Sequence, residues 1–334
     1  MTRAVVVFPG RGAYLPSALG ALEPAHAWVR RADELRTQAG LVTLSELDAA
    51  PRFDPVVHLR PSNAWPLTFL ASLLDAERIA EDHDAVAVAG SSTGWYTALA
   101  AAGVLSFDDA FRLVQRMAAA ADEPLDGDEP PAELIYALAD DGWRADPVRS
   151  EALDAAVGES GDDAFRALEL GAYGVVGGRA PAVERVASAL EPVSVSGRQY
   201  PVRMPGGDAW HTPLRARDAG SAAADLSDLT WERPNVTLVD GRGARFTPWS
   251  SDPAALASYT LADFPINPFD TATAVRVALR EYAPEVVLLP GPGSSLGAAC
   301  AHLIVAEGYR GVRSRSEFEA AQRSEHPLLL SMRR

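Results

Sequence analysis

Four short apolar runs, Ala4–Phe8, Ala85–Ala89, Val236–Val239 and Val286–Leu289, restrict the fold more than any other feature of the chain. Each is too short for a buried helix and shows no polar alternation, and Gly or Pro follows within two residues. Strands covered on both faces read this way, whereas half-exposed strands alternate. Helical periodicity lies between them, from Phe107 to about Ala120 behind a Ser106 cap and again from Thr271 to Tyr282. Buried strands alternating with helices predict an α/β fold with a doubly wound, mostly parallel sheet, as in α/β-hydrolases.

The rhythm changes after Asp122–Pro131, an acidic stretch holding Pro124, Pro130 and Pro131 that suits a surface linker. A strand at Glu133–Ala139, a helix at Pro147–Val157, a strand or hairpin at Phe165–Val176, a helix at Pro181–Leu190 and a strand at Val193–Val202 are expected. This order predicts a small inserted α+β subdomain of ferredoxin-like type over residues 132–202. Residues 1–131 and 203–334 would then build the large domain.

Composition removes several functional classes. All 30 basic residues are Arg, so neither a P-loop lysine nor a lysine Schiff base is available. A net charge of -15 argues against a nucleic-acid groove or an anionic membrane surface. Cys300 is the single cysteine and lies in an apolar run, which leaves no disulfide or Cys-based metal site. The opening apolar run is too short for a signal peptide, so a cytoplasmic protein without metal or cofactor is expected.

Gly90-Ser91-Ser92-Thr93-Gly94 fits G-x-S-x-G between a strand and the helix-forming Trp95–Ala102. That context exposes a serine hydroxyl at a strand-to-helix turn, beside the free N–H groups of a helix N-terminus. His211, in Ala209-Trp210-His211-Thr212-Pro213-Leu214, has the most distinctive setting among six histidines and is the candidate base. Taken alone, it reads more readily as a structural His beside a turn. Gly10-Arg11-Gly12 after the first strand could supply a second backbone N–H to an oxyanion, or could simply turn the chain.

In order, these segments resemble malonyl-CoA:acyl carrier protein transacylases and the acyltransferase domains of polyketide synthases. Phe8–Gly12 matches an opening F-P-G-Q-G, and Gly90–Leu105 matches G-H-S-x-G-E with its helix. Ala209–Leu214 matches the block with the catalytic His, Asn267-Pro268 a late N-P, and Gly291–Gly293 a final G-P-G. The resemblance implies Ser92 as nucleophile, His211 as general base and backbone N–H groups of Arg11 and Thr93 as the oxyanion hole. A backbone carbonyl close to Phe264 would orient the His. It further implies acyl-CoA as substrate, an acyl carrier protein as partner and a ping-pong acyl transfer.

Three departures stand out, two that retune the elbow and one that bears on substrate choice. Ser91 stands where the family has His, Trp95 where it has Glu, and Met117 where it has the carboxylate-binding Arg. Arg116 is one residue away and about 100° round the helix. An acyl pocket lined by Ser91, Met117 and Trp210 is therefore expected to take a small uncharged group rather than malonyl. A thioester hydrolase of the same fold and a catalytically idle carrier-protein-binding module are the alternatives.

Overall fold

The structure is a computed structural model and describes residues 1–333. The chain opens with strand β1 (Thr2–Phe8), and helix α1 (Pro61–Asp82) leads into β2 (His83–Gly90), α2 (Gly94–Ala101) and α3 (Phe107–Asp122). Next come β3 (Pro131–Ala137), α4 (Pro147–Glu159), β4 (Ala164–Glu169), β5 (Tyr173–Arg179) and α5 (Ala180–Ala189). Then β6 (Val193–Val195), β7 (Arg198–Tyr200) and β8 (Val202–Arg203) precede α6 (Ala216–Asp225), β9 (Thr237–Val239) and β10 (Arg245–Phe246). The chain ends with β11 (Phe269–Asp270), α7 (Thr271–Tyr282), β12 (Val286–Leu289), α8 (Gly297–Ala306) and β13 (Leu329–Ser331). Further helices fill the intervals.

The first sheet has the order β10-β9-β2-β1-β12-β13 and is parallel apart from the edge strand β10. Alternate residues of β1 serve two cores, as the period of two requires. Ala4, Val6 and Phe8 join the cluster under α1, α2 and α3, while Val5 and Val7 join the one under α7 and α8. Both faces are covered, which explains the uninterrupted apolar runs. Phe8 pairs with Gly90, so the loops leaving β1 and β2 run side by side at the carboxyl edge. That crevice is where doubly wound sheets bind ligands.

The second sheet has the order β11-β4-β5-β3-β8. Strands β3, β4, β5 and β8 pair antiparallel and alternate with α4 and α5 in the β-α-β-β-α-β order of the ferredoxin-like fold. The Phe165–Val176 run is a hairpin. The Val193–Val202 run is not one strand: Ser196 (φ 51°) and Gly197 (φ 77°) turn it into the hairpin β6–β7, and only Val202–Arg203 joins the sheet. β11 comes from beyond this segment and pairs in parallel with β4, tying the two sheets together. Strands β10, β11 and β13 are two or three residues long, too short to show a pattern in the sequence.

Candidate active site

Ser92 sits at φ 51°, in the left-handed region that a non-glycine side chain rarely adopts. The surroundings enforce it. A Cβ on Gly90 would lie 2.1 Å from the Gly94 carbonyl carbon, and one on Gly94 would lie 2.2 Å from Phe8 O. Only glycines let α2 start this close to β1 and β2, and the turn then lifts the Ser92 hydroxyl above the sheet edge. Ser91 N–H donates to Phe8 O at 2.9 Å and fixes the turn to the neighbouring strand.

His211 lies across from it on another strained segment, with Ala209 at φ 54° and His211 at φ 63°. Its N–H donates to Pro265 O at 2.8 Å. Ser92 Oγ and His211 Nε2 are 2.9 Å apart, and His211 Nδ1 lies 2.8 Å from the carbonyl oxygen of Phe264. A carbonyl only accepts, so Nδ1 carries the proton and the Nε2 lone pair faces Ser92. Burial pushes the imidazole down to about 4, against the Phe264 hydrogen bond and the Asp208 charge. It is neutral at pH 7 and can take a proton from the serine.

Phe264 follows a π-helical turn, Tyr259–Asp263, an irregularity common at functional sites. Trp95 and Tyr96 hold that turn from the elbow helix. Trp95 Nε1 donates to Thr260 Oγ1 at 3.0 Å, and the Tyr96 and Phe264 rings meet edge to face at 5.2 Å. Trp95, where a charged Glu is the family pattern, is thus a buried prop for the carbonyl that orients His211.

The backbone N–H groups of Arg11 and Thr93 find no acceptor among the described residues. They lie on the two loops that leave Phe8 and Gly90 side by side, with a Cβ on Gly10 reaching within 3.3 Å of Ser92 Cβ.

The residues expected to line an acyl pocket lie on different sides of the sheet. Met117 and Trp210 are both buried in the cluster under α1, α2 and α3, and Trp210 packs edge to face on Trp65 at 5.2 Å. Ser91 is a correction. Its hydroxyl hydrogen-bonds Thr271 Oγ1 at 2.9 Å, at the start of α7 on the opposite helical layer, so it does not line a pocket with Met117. One residue of chain reverses the side on which a side chain emerges, and the turn uses Ser91 to bind α7. Arg116 points away, paired with Asp225 at 2.7 Å on α6. A cleft of about 430 Å³ reaches Asp208 from Leu59, Pro61 and Asp122, but neither Ser92 nor His211 lines it.

Two contributors gave no signal in the sequence. Glu133 on β3 and Asp208 before His211 are both buried, and both contact the Arg11 side chain. Neither lies in a motif, and only the approach of the small subdomain to the β1 loop reveals them.

A serine at a strand-to-helix turn, hydrogen-bonded to a histidine whose other nitrogen faces a backbone carbonyl, sits at the edge of a doubly wound sheet carrying a ferredoxin-like insert, and this defines the class as an α/β fold with a Ser–His pair at its carboxyl edge. No family model matches the chain. It is 24% identical over 250 residues to the malonyl CoA-acyl carrier protein transacylase of Escherichia coli O157:H7, covering 72% of this chain and 74% of that one. A malonyl-CoA:acyl carrier protein transacylase structure from Xanthomonas oryzae superposes with a TM-score of 0.72 at 24% identity, covering 91% and 92% of the two chains. A type II polyketide malonyl-transacylase in complex with its acyl-carrier protein gives 0.74 at 21%, covering 91% and 93%. The acyltransferase domain of the second salinomycin polyketide synthase module gives 0.72 at 21%, covering all of this chain and 69% of that one. The chain therefore has the fold of the malonyl-CoA:acyl carrier protein transacylases, and the resemblance seen in its motifs extends through the whole tertiary structure. No helix among the described residues is long and apolar enough to cross a membrane.

Proposed function

We propose that the protein is an acyl-CoA:acyl carrier protein S-acyltransferase working through an acyl ester on Ser92. The observation that carries this reading is the 2.9 Å approach of Ser92 Oγ to a neutral His211 whose other nitrogen is held by Phe264 O. Ser92 Oγ attacks the thioester carbonyl as its proton passes to His211 Nε2, and the oxyanion is met by the N–H groups of Arg11 and Thr93. The C–S bond breaks and the CoA thiolate takes the proton from His211. The phosphopantetheine thiol of a carrier protein then gives its proton to His211 and attacks the ester, and Ser92 recovers its proton as leaving group. This chemistry draws on no cofactor.

The acyl group is small and uncharged in this reading. Met117 offers an apolar surface where a carboxylate would need a cation, and Arg116 is engaged with Asp225 outside the site. Acetyl or a short linear acyl group is the expected load.

Intact-protein mass measurement after incubation with acetyl-, propionyl-, malonyl- and methylmalonyl-CoA tests the reading, followed by addition of a holo carrier protein. A Ser92 adduct that moves to the carrier supports it. Release of free acid without transfer would assign thioester hydrolysis, and absence of any adduct would leave a binding role.

A further inference from the structure

We infer that Glu133, acting with Asp208 through the Arg11 side chain, is a positioning residue of the acyl transfer that fixes the oxyanion loop and the His211 loop to the small subdomain. The inference rests on the acyl-transfer reading of Ser92 and His211. Three segments distant in sequence meet at one guanidinium. Arg11 Nη2 donates to Glu133 Oε2 on β3, Arg11 Nε lies 3.1 Å from Asp208 Oδ2, and Arg11 Nη1 donates to Gly206 O at 2.8 Å. Asp208 also accepts from Trp210 N–H at 3.0 Å through Oδ1, which shapes the turn that presents His211.

The contact is close, and both carboxylates are buried. Glu133 and Asp208 are 3% and 2% exposed, so their charges act through little solvent. A Cβ on Gly207 would lie 2.6 Å from Glu133 N, so the 206–208 loop runs directly against the β3 backbone. The same Arg11 whose side chain is held here contributes the unpartnered backbone N–H beside Ser92. A shift of the guanidinium therefore moves an oxyanion donor and, through Asp208, the base. Among the described residues Arg11 is the one cation paired with the two carboxylates, and burial holds the Glu133 carboxyl well above the usual carboxylate range despite its pull.

A fluorophosphonate reagent reads the site without reference to the acyl group. Ser92 Oγ bonds to phosphorus, fluoride leaves, and the serine proton passes to His211. The rate of Ser92 labelling is measured for wild type, Glu133→Ala, Glu133→Gln and Glu133→Asp, with folding checked by thermal melting. Glu133→Ala is expected to label about tenfold to a hundredfold more slowly, the penalty of a slightly misplaced site. Glu133→Gln, which keeps the shape and an acceptor for Arg11, should stay within about threefold of wild type. Folded Glu133→Ala labelling at the wild-type rate would overturn the clamp. If that variant does not fold, Glu133→Asp decides: its carboxylate is one methylene short, and a wild-type rate would equally overturn the proposal. Wild-type protein that resists labelling altogether would overturn the catalytic reading itself.

Discussion

The Nδ1 nitrogen of His211 lies 2.8 Å from the carbonyl oxygen of Phe264, so a backbone group holds the position a carboxylate fills in a Ser-His-Asp triad. A carbonyl fixes the tautomer but adds no negative charge to support an imidazolium. The base therefore keeps a low proton affinity in its buried setting.

Removing the pair has graded effects. Ser92→Ala should abolish both the acyl adduct and transfer, because among the described residues Ser92 carries the one elbow hydroxyl hydrogen-bonded to His211, while that of Ser91 is bound to Thr271. His211→Ala should slow acylation about a hundredfold to ten-thousandfold while leaving some activity from the oxyanion donors. Intact mass against time measures both. An adduct persisting in Ser92→Ala would place the chemistry elsewhere.

The pH response follows from the direction of the His211 shift. A base that titrates near 4 leaves acylation nearly constant from pH 8 to 5, with a fall only toward pH 4. Stability has the same sign. The unfolded chain binds the His211 proton from about pH 6.5 downward while the native chain does not, so this contribution is complete above about 6.5 and is lost as pH falls toward 4. Single-turnover acylation and urea melts across that range check the two statements. A midpoint of acylation near 6.5 would show an exposed, ordinary histidine.

In the proposed reading, substrate choice turns on Met117. Met117→Arg should raise the malonyl-to-acetyl ratio of kcat/KM about tenfold to a hundredfold, since one charge-assisted hydrogen bond is worth roughly 1.5–3 kcal/mol. Arg116→Ala should leave that ratio unchanged, because its guanidinium is bound to Asp225. A wild-type preference for malonyl-CoA would contradict the pocket assignment.

The elbow tolerates no side chain at Gly94. A methyl there would meet Phe8 O at 2.2 Å, a backbone atom held within the central strand of the sheet. Gly94→Ala should destabilise by about 3 kcal/mol or more, the range of severe core overpacking. Trp95→Phe should lose about 1 kcal/mol with the Thr260 hydrogen bond and slow acylation more than its stability loss explains, since it props the Phe264 turn. Denaturant melts beside acylation rates separate the two effects.

Local chemistry wrote the elements into the sequence. β12 begins and ends at the residues its apolar run marks, and α7 spans the full periodic stretch Thr271–Tyr282, because burial on both faces and a helical stripe leave periods that need no knowledge of partners. The elbow was legible for the same reason, its glycines and its strand-to-helix setting being local. The tertiary structure alone decided what meets what. It brought Ser92 to His211 across 119 residues, aimed Phe264 O at Nδ1, sent the Ser91 hydroxyl to α7, and joined Arg11 to Glu133 and Asp208. Those contacts depend on strand order, on which helical layer covers which face and on how the subdomain leans against the β1 loop. Such relations are set by the packing of the whole chain, and no single segment carries their period.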